Sequence, residues 1–165
     1  VRGNRRHHAY SDRLKGHFMI INLSTGAVNA MINSPGLAAA LEANDDMELR
    51  VYSGTMPASA DAAIGAATLL CVVKNGAAGI TWSDAVAGGL SKPAGEVWAG
   101  TAVATGAASF GRFVLGTDDG LESLTAVRIQ GDVANIGAFI NLDNPSFVSG
   151  VVQSVNSAQL LMPRQ

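Results

Sequence analysis

The chain has 165 residues and a formal net charge of -2, and 48% of its residues are hydrophobic whereas 5% are aromatic. A chain of this length buries enough surface to fold as one domain without a disulfide or a structural metal. The longest apolar run, from Leu69 to Val73, is too short to cross a bilayer, and no signal-peptide pattern precedes it. The single cysteine, Cys71, excludes an internal disulfide framework and is predicted to be a buried, inert thiol. Because the longest apolar run is so short, we expect no membrane segment.

The charges are distributed unevenly along the chain. Residues 1–17 hold five basic residues against one acid, a net charge of +4, whereas the remainder holds six basic and twelve acidic residues, a net charge of -6. We divide the chain into an extended basic N-terminal arm, 1–22, and a folded domain, 23–165. The arm lacks apolar periodicity, so a surface of the domain, a sister subunit or another protein must order it. The residues predicted to bind a partner are Arg2, Arg5, Arg6, His7, His8, Arg13 and Lys15.

Two other interpretations of the arm remain open. The basic run at 5–8 is compatible with contacts to nucleic-acid phosphates. The acidic domain and the lack of aromatic residues among the bases favour an acidic protein surface instead, so we expect no direct contact with nucleic acid. The last interpretation treats the residues before Met19 as an upstream extension without a role.

Short helices are predicted where the domain begins. The first starts near Leu23 with Ser24 or Thr25 as its N-cap, and its apolar residues at helical spacing are Val28, Met31 and Ile32. A second helix follows Ser34-Pro35, with Leu37 and Leu41 on one face. Residues 44–46 then end the helical part.

From Met47 onward the pattern indicates strands. Alternation over 47–52 predicts a half-buried strand with Met47, Leu49 and Val51 on its apolar face. The continuous apolar run at 68–74 is typical of a strand covered on both faces. Because strands recur at short spacing without helices between them, we predict an all-β fold, an antiparallel β-sandwich with the jelly roll as one form. The remaining strands are predicted at 80–86, 96–103, 107–115, 124–130, 133–142 and 147–162.

The sequence offers little that would carry chemistry. From Phe18 onward it has no histidine, so a Ser-His-Asp or Cys-His site would need a base from the arm. We interpret Ser91-Lys92 as a turn and the acids near 118–122 as turn residues, with a surface calcium site as the alternative. A metal site at His7, His8 and His17 lacks completing ligands. We expect no enzymatic activity and no cofactor or metal.

Several stretches resemble one group of proteins. The most specific is Leu49-Arg-Val-Tyr-Ser-Gly-Thr-Met-Pro-Ala-Ser-Ala-Asp61, and the others lie at 23–31, 36–37, 69–71, 90–98, 104–113 and 127–131. In these stretches the chain resembles small structural proteins of tailed-phage virions, over roughly residues 23 to 162. The arm lies outside the resemblance, and the group implies no catalytic residue.

The resemblance implies a decoration, or cement, protein on the exterior of a phage capsid. Such a protein binds the major capsid protein, stabilises the shell, and is expected to be a homo-oligomer, a dimer or a trimer. A tail or neck component of the virion is the second hypothesis. A carbohydrate-binding module is the third, with Trp82 or Trp98 as a stacking surface, although both tryptophans fit core positions better.

Overall fold

The computed structural model describes residues 19–33, 36–84, 86 and 88–161. The fold is mostly β, with 41% strand and 12% helix. The elements are β1 Ile21–Leu23, α1 Thr25–Ile32, α2 Leu37–Leu41, a 3-10 turn at Ala43–Asp45, β2 Met47–Ser53, β3 Thr68–Asn75, β4 Gly89–Ser91, β5 Trp98–Thr101, β6 Gly106–Ala107, β7 Phe110–Leu115, β8 Ile129–Ala134, β9 Ile140–Leu142, β10 Ser146–Phe147 and β11 Val152–Leu161.

Seven of the described strands close into a mixed β-barrel. The order is β8, β7, β2, β3, β5, β11 and β9, and β9 returns to β8 in a parallel pairing while the other pairings are antiparallel. The β-rich class predicted from the sequence is confirmed, but the strands form one barrel where two packed sheets were expected.

Two local features close the barrel. The pattern over 133–142 predicts one strand, but the chain turns back between β8 and β9, so that Ile140 pairs with Val133. The register of β11 shifts between Val155 and Ser157, and the strand pairs with β5 before the shift and with β9 across it. A bulge of this kind bends a strand and increases its twist, as closure requires.

Four aromatic side chains form the centre of the core. The Phe113 ring centroid lies 4.9 Å from that of Trp82 and 5.8 Å from those of Trp98 and Phe139. The strand predicted at 80–86 is absent from the described part of that segment, 80–84 and 86. The segment instead carries Trp82 into the core, where the Glu42 carboxylate accepts the Trp82 backbone N–H at 2.6 Å.

Strand β2 is more buried than predicted, and strand β3 is more exposed. The inner face of β2 is fully buried as predicted, but its outer face, with Glu48, Arg50 and Tyr52, is also largely covered. Arg50 donates to the carbonyls of Asp118 and Gly116, and Tyr52 stacks on Phe110, which accounts for this burial. On β3, which was expected to be covered on both faces, Leu69 and Val72 remain partly exposed.

Helix α1 directs its large apolar side chains towards solvent. Gly26 and Ala27 are buried, whereas the three large apolar residues of the helix are exposed. A Cβ on Gly26 would lie 2.4 Å from the Thr125 carbonyl oxygen, so only glycine permits this contact. Ser24 caps the helix by accepting the Ala27 N–H at 3.0 Å. In α2, by contrast, Leu37 and Leu41 are buried as their spacing predicts.

Candidate interaction surfaces

The residues predicted to bind a partner lie outside the described part of the chain. The first described residue is Met19, and β1 begins at Ile21, so that the last two residues assigned to the arm pair with β8. The residues of this predicted set are Arg2, Arg5, Arg6, His7, His8, Arg13 and Lys15.

A buried arginine holds residues 54–67 against the barrel. Arg112 is only 1% exposed, and it donates from Nη2 to Gln130 Oε1 at 2.6 Å and from Nη1 to the Ala62 carbonyl at 3.0 Å. Gln130 in turn donates to the Pro57 carbonyl at 2.7 Å. Burial, assisted by the nearby charge of Arg128, lowers the pKa of Arg112 to about 10. The guanidinium therefore remains a cation at neutral pH and fixes the loop through neutral acceptors.

Two further arginines hold the connection between β7 and β8, residues 116–128. Arg128 is as buried as Arg112, forms an ion pair from Nε to Asp118 Oδ2 at 2.6 Å, and donates to the Leu121 carbonyl at 2.8 Å. Arg50 donates to the carbonyls of Asp118 at 2.7 Å and Gly116 at 3.2 Å. Long connections have carbonyls that no strand satisfies, and here the guanidinium groups satisfy them.

Asp61 joins these two loops to helix α1. Its carboxylate accepts the Thr25 backbone N–H at 2.7 Å and the Thr25 hydroxyl at 2.8 Å. Its carbonyl accepts the Ser123 N–H at 2.9 Å. Helix α1, residues 54–67 and residues 116–128 thus form one connected assembly on the outside of the barrel.

This assembly displays apolar side chains that the rest of the described chain leaves uncovered. We call them the helix–loop surface. Ile32 is 80% exposed, and Asp119 and Glu122 are exposed acids on the same loop as its two leucines. The members of the surface are Val28, Met31, Ile32, Leu121 and Leu124.

A second apolar surface lies at the opposite end of the barrel, where β5 ends and β11 begins. Its backbone is tightly connected, because the Ala102 N–H donates to the Val151 carbonyl at 2.9 Å and the Gly150 N–H donates to the Ala102 carbonyl at 2.8 Å. The residues around this end, 101–109 and 144–152, lie within two segments without a charged residue, 97–111 and 144–161. We call its exposed members the valine end: Val103, Val148, Val151 and Val152, which are 48% to 64% exposed.

The tryptophans proposed for carbohydrate stacking are buried. Trp98 is fully buried and Trp82 is 6% exposed, so neither ring offers a face to a ligand. The indole N–H of Trp98 donates to Glu96, and the two rings meet edge to face with centroids 5.5 Å apart. Both side chains are core residues, as their sequence positions favour.

The other candidate chemical groups are also engaged within the structure. Cys71 is buried, and desolvation raises its thiol pKa to about 11. Asp118 and Glu122 line a cleft of about 330 Å³, but Asp118 is paired with Arg128. Among the residues that the structure describes, no group of three or more His, Cys, Asp or Glu side chains is placed to hold a metal ion. Ser91, predicted to lie in a turn, is instead the last residue of β4, and its hydroxyl oxygen lies 2.9 Å from that of Ser83.

The described residues contain no helix long and apolar enough to span a membrane. In comparisons with known proteins, no family model, no curated protein and no solved structure matches this chain.

Sequence motifs for catalysis or metal binding do not indicate either surface. The valine end has a sequence signal, because two charge-free segments alternate with segments that contain every charge of the domain. The helix–loop surface has none, because the spacing of its helical residues is equally typical of a face that packs on the core.

Proposed function

We propose that the protein is a capsid decoration protein of a tailed phage, which binds coat-protein subunits on the outside of the shell and stabilises it without enzymatic activity. The observation that carries the proposal is the helix–loop surface, where five large apolar side chains stay uncovered on a rigid support. Exposed apolar patches of this kind are typical of protein interfaces.

The resemblance to virion proteins supports the choice of partner. Its most specific stretch, Leu49–Asp61, comprises most of β2 and the beginning of the loop that the arginines hold. Tyr52 of this stretch stacks on Phe110 with centroids 5.1 Å apart, and Pro57 and Asp61 accept the hydrogen bonds that fix the loop. The residues that carry the resemblance therefore build the support beneath the proposed contact surface.

Pre-organisation makes this surface suitable for a cement. Binding costs conformational entropy when loops must become ordered, and the arginine and Asp61 hydrogen bonds already order these loops in the free chain. Each Å² of apolar surface removed from water then contributes about 25 cal/mol. The exposed acids Asp119 and Glu122 favour a coat-protein recess that is apolar at its centre and basic at its edge.

The basic arm supplies a contact of opposite sign in this proposal. Its arginines pair with carboxylates on the coat protein or on a sister subunit, while the acidic rim of the helix–loop surface meets bases on the shell. The protein is expected to act as a homo-oligomer at the capsid surface, because several copies tie together several coat subunits.

The test is binding of the full-length chain to expanded phage heads that lack it, measured by co-sedimentation. Replacing Ile32→Asp or Leu124→Asp should weaken binding at least about tenfold, because a charge enters the centre of an apolar contact. The matched control is Val97→Asp, since Val97 is 69% exposed but belongs to neither surface.

Wild-type binding by both helix–loop variants would reject this surface as the contact. Absence of wild-type binding to heads, with binding to isolated tails instead, would replace the capsid role with the tail or neck role.

A further inference from the structure

We infer that the valine end is the surface through which copies of this chain associate with one another. Four valines are exposed there on two loops that are hydrogen-bonded together, and the Ser149 N–H also donates to Thr105 Oγ1 at 3.0 Å. The loops are therefore ordered before any contact forms. Valine has few rotamers to lose on burial, which lowers the cost of association further.

The distribution of charge selects this end for self-association. The described residues include five basic and twelve acidic side chains, so two folded domains repel one another. The residues 97–111 and 144–161 contribute none of these charges. The carboxylates next to these segments along the chain are Glu96, which accepts the Thr81 hydroxyl, and Asp143, which accepts the Ser154 hydroxyl at 2.6 Å. A contact through the valine end is thus the approach that brings the fewest like charges together.

The length of the barrel keeps the charged ends apart in such a contact. Strand β11 has ten residues, which corresponds to roughly 33 Å at about 3.3 Å per residue. Residues 116–128, which contain Arg128 and three acids, follow the end of β7 that pairs with Met47, away from the valine end, so two domains joined there hold these residues farther apart than the Debye length of about 8 Å at physiological ionic strength. The repulsion between the two acidic bodies is therefore largely screened.

A second copy fits this surface better than a different charged partner. In a symmetric contact the same patch faces its own copy, so a patch with a net charge of one sign would repel itself. The valine end contains only apolar, hydroxyl, amide and glycine groups, which tolerate that arrangement. A partner chosen by electrostatic complementarity would find no charge here to recognise.

The inferred contact involves both loops. A stable interface buries about 800 Å² on each partner. The four valines supply its centre, and the small residues of 101–109 and 144–152 supply the surrounding flat surface. The inference names the interface of the oligomer in the proposed function and rests on that proposal for its biological setting, but the purified chain alone tests it.

The experiment is sedimentation equilibrium of the full-length chain and of three variants. The wild type should sediment as a dimer or trimer, and Val148→Asp and Val152→Asp should each raise the dissociation constant at least about tenfold. Val97→Asp should leave the dissociation constant unchanged, and circular dichroism should show the same β content in all four proteins.

Salt separates this interface from one made by the basic arm on the acidic domain. Association through the valine end should strengthen as salt is raised from low concentration towards physiological ionic strength, because only repulsion between the domains is screened. A monomeric wild type, wild-type association of both valine-end variants, or dissociation by salt would each overturn the inference. A monomer that still binds heads would reject the inference and leave the capsid role intact.

Discussion

The two ends of the barrel are ordered by different means. At the helix–loop end, long connections leave carbonyls such as those of Ala62 and Leu121 without strand partners, and buried arginines donate to them. At the valine end the connections are satisfied by the backbone itself, as where the Val103 N–H donates to the Leu70 carbonyl at 2.7 Å. Charged side chains thus lie where the loops are held by buried arginines, and they are missing where the backbone holds the loops. Both ends thereby present rigid apolar surfaces.

The largest difference between the two ends should appear when one buried cation is removed. Arg128→Ala leaves the buried Asp118 carboxylate with only the longer Arg50 pair at 4.0 Å and removes the donor to the Leu121 carbonyl, which should lower the free energy of unfolding by roughly 3 to 5 kcal/mol. Urea denaturation measures the change. Lys74→Ala is the control, because the Lys74 pair with Asp46 is about one-third exposed and contributes less than about 1 kcal/mol, while Glu48, the second partner of Lys74 at 3.7 Å, keeps its shorter pair with Arg50. Equal losses in the two variants would show that the loops do not depend on buried arginine.

Cys71 reports on the order of the valine end. Its backbone forms an isolated antiparallel β-bridge with Ala102. Burial raises the pKa of its thiol, which therefore stays protonated. Alkylation of the native thiol should be at least about a hundredfold slower than that of the chain in urea. Because the folded thiol titrates near pH 11 and the unfolded one near pH 9, stability should fall as the pH rises through that interval. Rapid native labelling at pH 8 would contradict an ordered valine end.

A smaller effect should separate helix α1 from the barrel. A valine at Gly26 forces side-chain atoms against the Thr125 and Ala126 carbonyls and should cost roughly 1 to 3 kcal/mol. Gly95→Val is the control, because nothing lies within 4 Å of a Cβ at that position. Gly26→Val should also weaken head binding, since helix α1 carries three members of the helix–loop surface. Thermal unfolding that is unchanged in Gly26→Val would mean that the close contact is not required.

The smallest effects are expected where each surface itself is changed. Ile32→Asp and Val152→Asp should alter the free energy of unfolding by less than about 0.5 kcal/mol, because both side chains are exposed. The two variants should differ in what they lose, head binding for the first and self-association for the second. A loss of both functions in either variant would show that the two ends do not act separately.

The pattern of the sequence predicted those parts of the fold that depend on local periodicity. The inner face of β2 and the pair Leu37 and Leu41 are buried as their spacing requires. The orientation of α1 could not be predicted, because the helical spacing of its residues identifies an apolar face without saying which side packs on the barrel. The close approach at Gly26 decides it, and that contact is with a segment about a hundred residues later.

The amino-acid sequence by itself determined the β-rich class, the burial of both tryptophans and the separation of charged from charge-free segments, because these depend on composition and on neighbours along the chain. Only the tertiary structure decided that the sheet closes, that three arginines hold the loops, and that the charge-free segments meet at one end. Each of these depends on pairings between distant segments. Such pairings are fixed by the geometry of closure and by the need to satisfy buried carbonyls.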